Sequence, residues 1–131
     1  MDKLLEGPDY DQLEQALFID LIQSSPQGTD LVITPDSWEG LPSLFGERLT
    51  KVIKGNSEEW VVALSPQNRD FLVAQALEKE VYACFVHFYI VEADKEIVTS
   101  YDRMACLILD PKFPDYGRIV AEYAALGDII G

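Results

Sequence analysis

Residues 81–92 constrain the fold most. Val, Tyr, Phe and Ile dominate this stretch, and such side chains suit a pleated, half-buried surface. Ala93-Asp94-Lys95-Glu96 follows as a short polar turn, and residues 97–109 form a second long strand ending at Asp110-Pro111. Two strands joined by a short turn make an antiparallel hairpin. The rest of the chain must be arranged around a sheet.

The segments before the hairpin alternate. Asp11-Gln12-Leu13-Glu14 resembles a capping box with Asp in the capping position. Leu13, Ala16, Leu17, Leu21 and Ile22 then recur at helical spacing, predicting a first helix over 11–23. Leu31-Val32-Ile33-Thr34 reads as a short strand closed by Pro35. Leu41, Leu44, Phe45, Leu49, Val52 and Ile53 fit one helical face, with Pro42 in the first turn and Gly55 at the stop. That pattern predicts a second helix over 41–54. Trp60-Val61-Val62-Ala63-Leu64 is continuously apolar, which predicts a central strand covered on both faces. Ser65 caps a third helix with Pro66 in its first turn, running to Lys79. Phe113-Pro114-Asp115 opens a fourth helix, which Gly127 stops.

The resulting order is α-β-α-β-α-β-β-α. It predicts one globular domain over 1–131, with residues 1–8 an irregular lead-in. The sheet has about four strands, mixed because alternating helices favour parallel crossovers. Two fold classes remain open: α/β if the strand at 31–34 pairs, and α+β built on the hairpin if it does not. A length of 131 residues suits one domain, and 48% apolar residues supply a core. No internal repeat or low-complexity segment stands out.

Charge narrows the function classes. Residues 1–47 hold ten acids and one base, Lys3, while the remainder holds 13 acids and nine bases. The net charge of −13 argues against nucleic acid, whose phosphates need clustered Lys and Arg. It argues equally against anionic membrane surfaces. No apolar run approaches the length of a membrane span, and the first residues lack a signal-peptide pattern. The expected location is cytoplasmic. Cys84 and Cys106 sit in apolar, strand-like segments, where buried free thiols are common.

Chemistry-bearing motifs are sparse. His87, the single histidine, alternates with Phe85, Tyr89 and Val91 along its strand. A hairpin register summing to 189 sets His87 opposite Asp102, a pair able to move a proton. A register summing to 190 sets it opposite Arg103 and brings Cys84 to Cys106. The plainer account is a histidine satisfied within a half-buried sheet. One histidine and two cysteines fall short of a zinc set, and no glycine pattern cradles phosphate, so neither metal nor cofactor is expected.

Trp38 lies in a Pro-Asp-Ser-Trp-Glu-Gly loop between Asp36 and Glu39. An aromatic flanked by acids resembles the anchor-and-charge pattern of binding hot spots; the competing account is a loop tryptophan folded onto the sheet edge. Asp30 adds charge nearby in sequence. Tyr116, in a proline-stiffened connector, is a further candidate contact, with Tyr10 and Tyr101 weaker ones. These features favour a small acidic protein-binding module, immunity- or inhibitor-like, that neutralises or escorts a basic partner such as a nuclease toxin. The alternatives are a small enzyme using His87 with Asp102, and a self-associating structural domain.

Overall fold

A computed structural model of the chain describes residues 10–127 and the backbone of 129–130. The expected lead-in at 1–8 lies outside the described residues. Helix α1 spans Tyr10–Ser24 and strand β1 Asp30–Ile33. A short helix α2 (Leu41–Phe45) leads through a 3-10 turn into β2 (Leu49–Lys54) and β3 (Ser57–Ala63). Helix α3 (Pro66–Lys79) follows, then β4 (Phe88–Glu92), β5 (Lys95–Tyr101) and β6 (Cys106–Leu109). Helix α4 (Tyr116–Glu122) precedes a two-residue strand β7 (Ile129–Ile130).

The described strands form one sheet in the order β2-β3-β1-β4-β5-β6-β7. This is an α+β architecture. Every pairing is antiparallel except β6 with β7. The expected mixed sheet of about four strands is therefore wider and almost wholly antiparallel. Strands β3 and β4 both flank β1 antiparallel to it, so α3 crosses over β1 to join two strands that do not touch.

The second helix expected at 41–54 stops at Phe45. Gly46 takes a positive φ of 59°, which ends the helix. Residues 49–54 then pair along their length with β3 around a turn at Gly55, whose φ is 61°. Thr50, Val52 and Ile53 are β-branched, so the strand conformation suits them. The spacing of Leu49, Val52 and Ile53 matches a helical face only by coincidence. Two long strands are also interrupted. Residues 81–84 form a 3-10 turn, with Val81 and Tyr82 folded into the core. Residues 102–105 turn between β5 and β6.

The core lies on one side of the sheet. Leu31, Ile33, Trp60, Val62, Phe88, Ile90 and Val98 face Leu17, Phe18, Leu21 and Ile22 of α1 and Leu72 and Ala76 of α3. Phe18 anchors this cluster, its ring 5.5–5.9 Å from those of Tyr82, Phe85 and Phe88. Helix α4 joins α1 through Arg118, which forks onto Asp20 at 2.9 and 3.0 Å, and through Tyr123, whose hydroxyl donates to Asp20 at 2.6 Å. The Arg118 hydrogen bonds hold the Asp20 carboxyl below its usual pKa against the opposing effect of burial.

Arg69 on α3 secures the end of α1. Helix α1 has no basic residue in its last turn, so its terminal carbonyls need outside donors. The Arg69 guanidinium donates to the carbonyls of Ile22, Ser25 and Pro26 at 2.7–2.9 Å, and its Nε to that of Leu64 at 2.8 Å. Among the described residues, no helix is long and apolar enough to cross a membrane.

Candidate functional site

Alternation along the strands defines a second sheet face. Register places Val32 beside Val61 and Tyr89, with Val91, Thr99, Tyr101 and Ile108 continuing outward. The core-facing side chains alternate with these. The helices that pack into the core stand on the opposite side, yet Val32 and Thr99 at the centre of this face are themselves buried, at 7% and 8%. Tyr101 and Ile108 are exposed at 37% and 40%. The apolar run at 60–64 thus reads differently from the expectation of cover on both sides. Trp60 and Val62 are buried in the core, Val61 is half-buried on the open face and Ala63 is exposed.

Carboxylates rim this apolar surface. Glu59, Glu96 and Asp30 share its register with Tyr89 and Val91. Lys54 offsets one of them, 3.4 Å from Glu59. The Tyr89 phenol is pushed above its usual pKa, first by burial and then by the negative potential of Tyr101, Glu96, Glu59 and Asp36. Acids from three separate elements therefore converge electrostatically on one tyrosine.

The 34–40 loop closes one end of the face. Thr34 N–H donates to the His87 carbonyl at 3.2 Å, Trp38 N–H to the Cys84 carbonyl at 3.0 Å, and Val86 N–H to Ser37 Oγ at 2.9 Å. Thr34 Oγ1 also donates to Asp36. This stapling brings Asp36 to His87, with Oδ2 3.8 Å from Nε2. The Trp38 ring lies against Gly40 and stays 53% exposed. A Cβ added at Gly40 would meet that ring at 2.3 Å. So Trp38 neither enters the core nor stands free; its ring occupies the space that glycine leaves bare at position 40.

His87 faces neither partner that the two registers proposed. Strand β4 pairs with β5 as Phe88↔Ser100 and Tyr89↔Thr99, which sets His87 across from Tyr101. Their rings lie 5.4 Å apart at 74°. A bulge between Ile90 and Val91 shifts the register, and the two-residue turn at Ala93-Asp94, both with positive φ, fixes the remainder. His87 Nδ1 accepts a hydrogen bond from the backbone N–H of Asp102 at 3.2 Å. The Asp102 carboxylate takes no part, so the proton-transfer pair does not form as drawn. Cys84 and Cys106 are free thiols, and Cys106 pairs in register with Tyr101.

The turn that meets His87 is strained. Asp102, Arg103 and Met104 all hold left-handed φ values of 55–70°, a conformation costly for L-residues. Arg103 N–H donates to the Val86 carbonyl at 2.9 Å, Ala105 N–H donates to the Asp102 carbonyl at 3.1 Å, and Met104 is buried.

The remaining candidates separate. Asp30 lies at the far end of β1 and lines a cleft of about 830 Å³ with Leu64, Ser65, Arg69 and Val73. His87 does not line that cleft. Tyr116 packs half-buried against the core at the start of α4, on the helical side. Glu39 is exposed beside Trp38. Among the described residues, no group of three or more His, Cys, Asp or Glu side chains could hold a metal ion. Glu59, Glu96 and Tyr89 escaped sequence reasoning, although Tyr89 shares the alternation of His87. Compared with protein-family models, curated proteins and solved structures, the chain matches none.

Proposed function

We propose that this chain is a small cytoplasmic protein-binding module, immunity- or inhibitor-like, that neutralises or escorts a basic protein. The observation that carries this reading is the sheet face opposite the helices, half-buried at Val61, Tyr89 and Val91, exposed at Tyr101 and Ile108, and rimmed by carboxylates. An apolar patch with a charged rim suits a specific protein interface. The rim and the chain's net charge of −13 favour a partner of opposite sign. A second copy would set the same carboxylates against one another, which disfavours self-association through this face. A nuclease toxin fits the charge, because its substrate groove must be basic.

The half-exposed Trp38, supported on Gly40, supplies an aromatic anchor at one end of the face. Asp36 and Glu39 beside it supply steering charge. Affinity capture from native lysate at stepped ionic strength tests the reading. A basic partner whose association slows steeply with salt is expected. Reversing both Asp36 and Glu39 to Lys should slow association while leaving the fold intact. Capture of neutral or acidic partners alone, or salt-insensitive association, would refute the proposal.

A further inference from the structure

The open face has an inner corner with its own chemistry. Tyr101 stands edge-on to two neighbouring rings, 5.4 Å from His87 at 74° and 6.4 Å from Tyr89 at 79°. Tyr101 is exposed and His87 and Tyr89 are half-buried, so the three rings form a partly exposed aromatic cluster on this face. The same corner lies where the fields of Asp36, Glu59 and Glu96 overlap. A cation placed there gains from ring quadrupoles and carboxylates together.

We infer that this corner seats an arginine side chain of the basic partner, its guanidinium stacked among Tyr89, Tyr101 and His87 and bonded to the rim carboxylates. The inference rests on the protein-binding reading and names that partner's anchor. Guanidinium suits the corner better than ammonium: it is planar, weakly hydrated, stacks on aromatic faces and forks onto carboxylates. The chain makes one such stack internally, with Arg48 4.1 Å over the Phe71 ring on the helical side. The corner pairs its rings with carboxylates, and among the described residues none of the three rings carries a cation stacked on it. Lys54 stands out on the edge strand, engaged with Glu59.

The test is an NMR titration of the labelled protein at low salt. The probe is acetyl-Gly-Arg-Gly-Arg-Gly-amide, with its lysine counterpart as the comparison. Saturable shifts centred on Val61, Tyr89 and Tyr101 are expected, with the lysine peptide about threefold or more weaker. Tyr101→Leu keeps bulk at an exposed site but removes the ring, and should weaken arginine-peptide binding about tenfold. A Glu59→Gln, Glu96→Gln double variant should weaken it further and flatten its salt dependence. Equal affinity for the two peptides would overturn the inference. So would shifts confined to the 36–39 loop that Tyr101→Leu leaves unchanged, although binding of a basic partner would then still stand. Absence of binding by either peptide and by any basic protein would remove both readings.

Discussion

Replacing Arg69 by Met tests the physical account of this fold most sharply. Four hydrogen bonds of 2.7–2.9 Å run from one guanidinium to the carbonyls of Ile22, Ser25, Pro26 and Leu64. Bonds from a charged donor contribute about 1.5–3 kcal/mol each, which sets a gross loss of roughly 6–12 kcal/mol. Two effects reduce it. Arg69 and its acceptors border the open cleft of about 830 Å³, so water re-engages the freed carbonyls. The arginine side chain also carries about 2 kcal/mol of rotamer entropy that no longer has to be surrendered. A net destabilisation of about 3–4 kcal/mol remains, at the low end of what breaking a fully buried charged network costs, as suits a part-buried guanidinium. For a chain this long, that corresponds to a fall in Tm of roughly 12–16 °C. Urea unfolding followed by far-UV circular dichroism gives the free energy. Arg69→Lys should recover less than half, because an ammonium cannot reach four fixed carbonyls at once. A loss below about 1 kcal/mol for Met, or full recovery by Lys, would refute the argument that the fork ties α1 to α3.

Further outcomes concern the site and its supports. Gly40→Ala should lift the Trp38 ring off the backbone, changing tryptophan fluorescence while costing no more than about 1 kcal/mol, since the ring is half exposed and free to move; an unchanged spectrum would contradict the close approach. His87 should be the Nε2–H tautomer when neutral, because its Nδ1 accepts from Asp102 N–H, and nitrogen shifts reporting Nδ1–H would overturn that assignment. Acid should weaken the α1–α4 contact. The Asp20 carboxyl is held below its ordinary value of about 3.9 by Arg118, so its stabilisation is complete above that value and lost as pH falls through the folded pKa. Asp20→Asn should flatten the acid limb of stability measured against pH, and an unaltered limb would argue against the linkage.

Some of this fold was legible because local chemistry and tertiary position agreed. Ser65 accepts from Asn68 N–H as a helix cap, and the polar turn after residue 92 closes a hairpin; Gly127 has the positive φ of a stop but closes a 3-10 turn at 124–126, α4 having ended at Glu122. The misreadings share a different cause. Leu49, Val52 and Ile53 satisfy both a helical and an extended pattern, and pairing with β3 decided between them. The run at 60–64 did report a strand, but not the expected cover on both faces: Val61 is half-buried and Ala63 exposed. Composition cannot tell which of the two faces the chain's own helices cover. The two-residue turn starts the β4–β5 pairing two residues short of the register that would set His87 opposite Asp102, and the bulge restores only one of them, leaving His87 opposite Tyr101; nothing in the sequence around Ile97 marks that bulge. Asp36 and His87 were each singled out separately. The loop that unites them is fixed by backbone hydrogen bonds to residues 84–87, which leave no trace in composition. Arg69 acts on carbonyls more than 40 positions away in sequence, beyond any local pattern.

The left-handed turn at Asp102, Arg103 and Met104 bears on how binding would be felt across the sheet. Each such residue costs on the order of 1–2 kcal/mol relative to an ordinary turn, so the segment persists only while neighbours restrain it. Its restraints are the buried Met104, the Asp102 N–H bond to His87 Nδ1 and the Arg103 N–H bond to the Val86 carbonyl. Beyond the turn, β6 depends on it for alignment against β5. Segments held by few restraints open locally before the whole domain unfolds, so β6 is expected to exchange its amide hydrogens sooner than the central strands β1 and β4. A partner gripping His87 and Tyr101 would tighten the restraint on that turn. Slower exchange should then appear in Leu107 and Leu109, whose side chains lie on the core side of the sheet, remote from the partner's footprint.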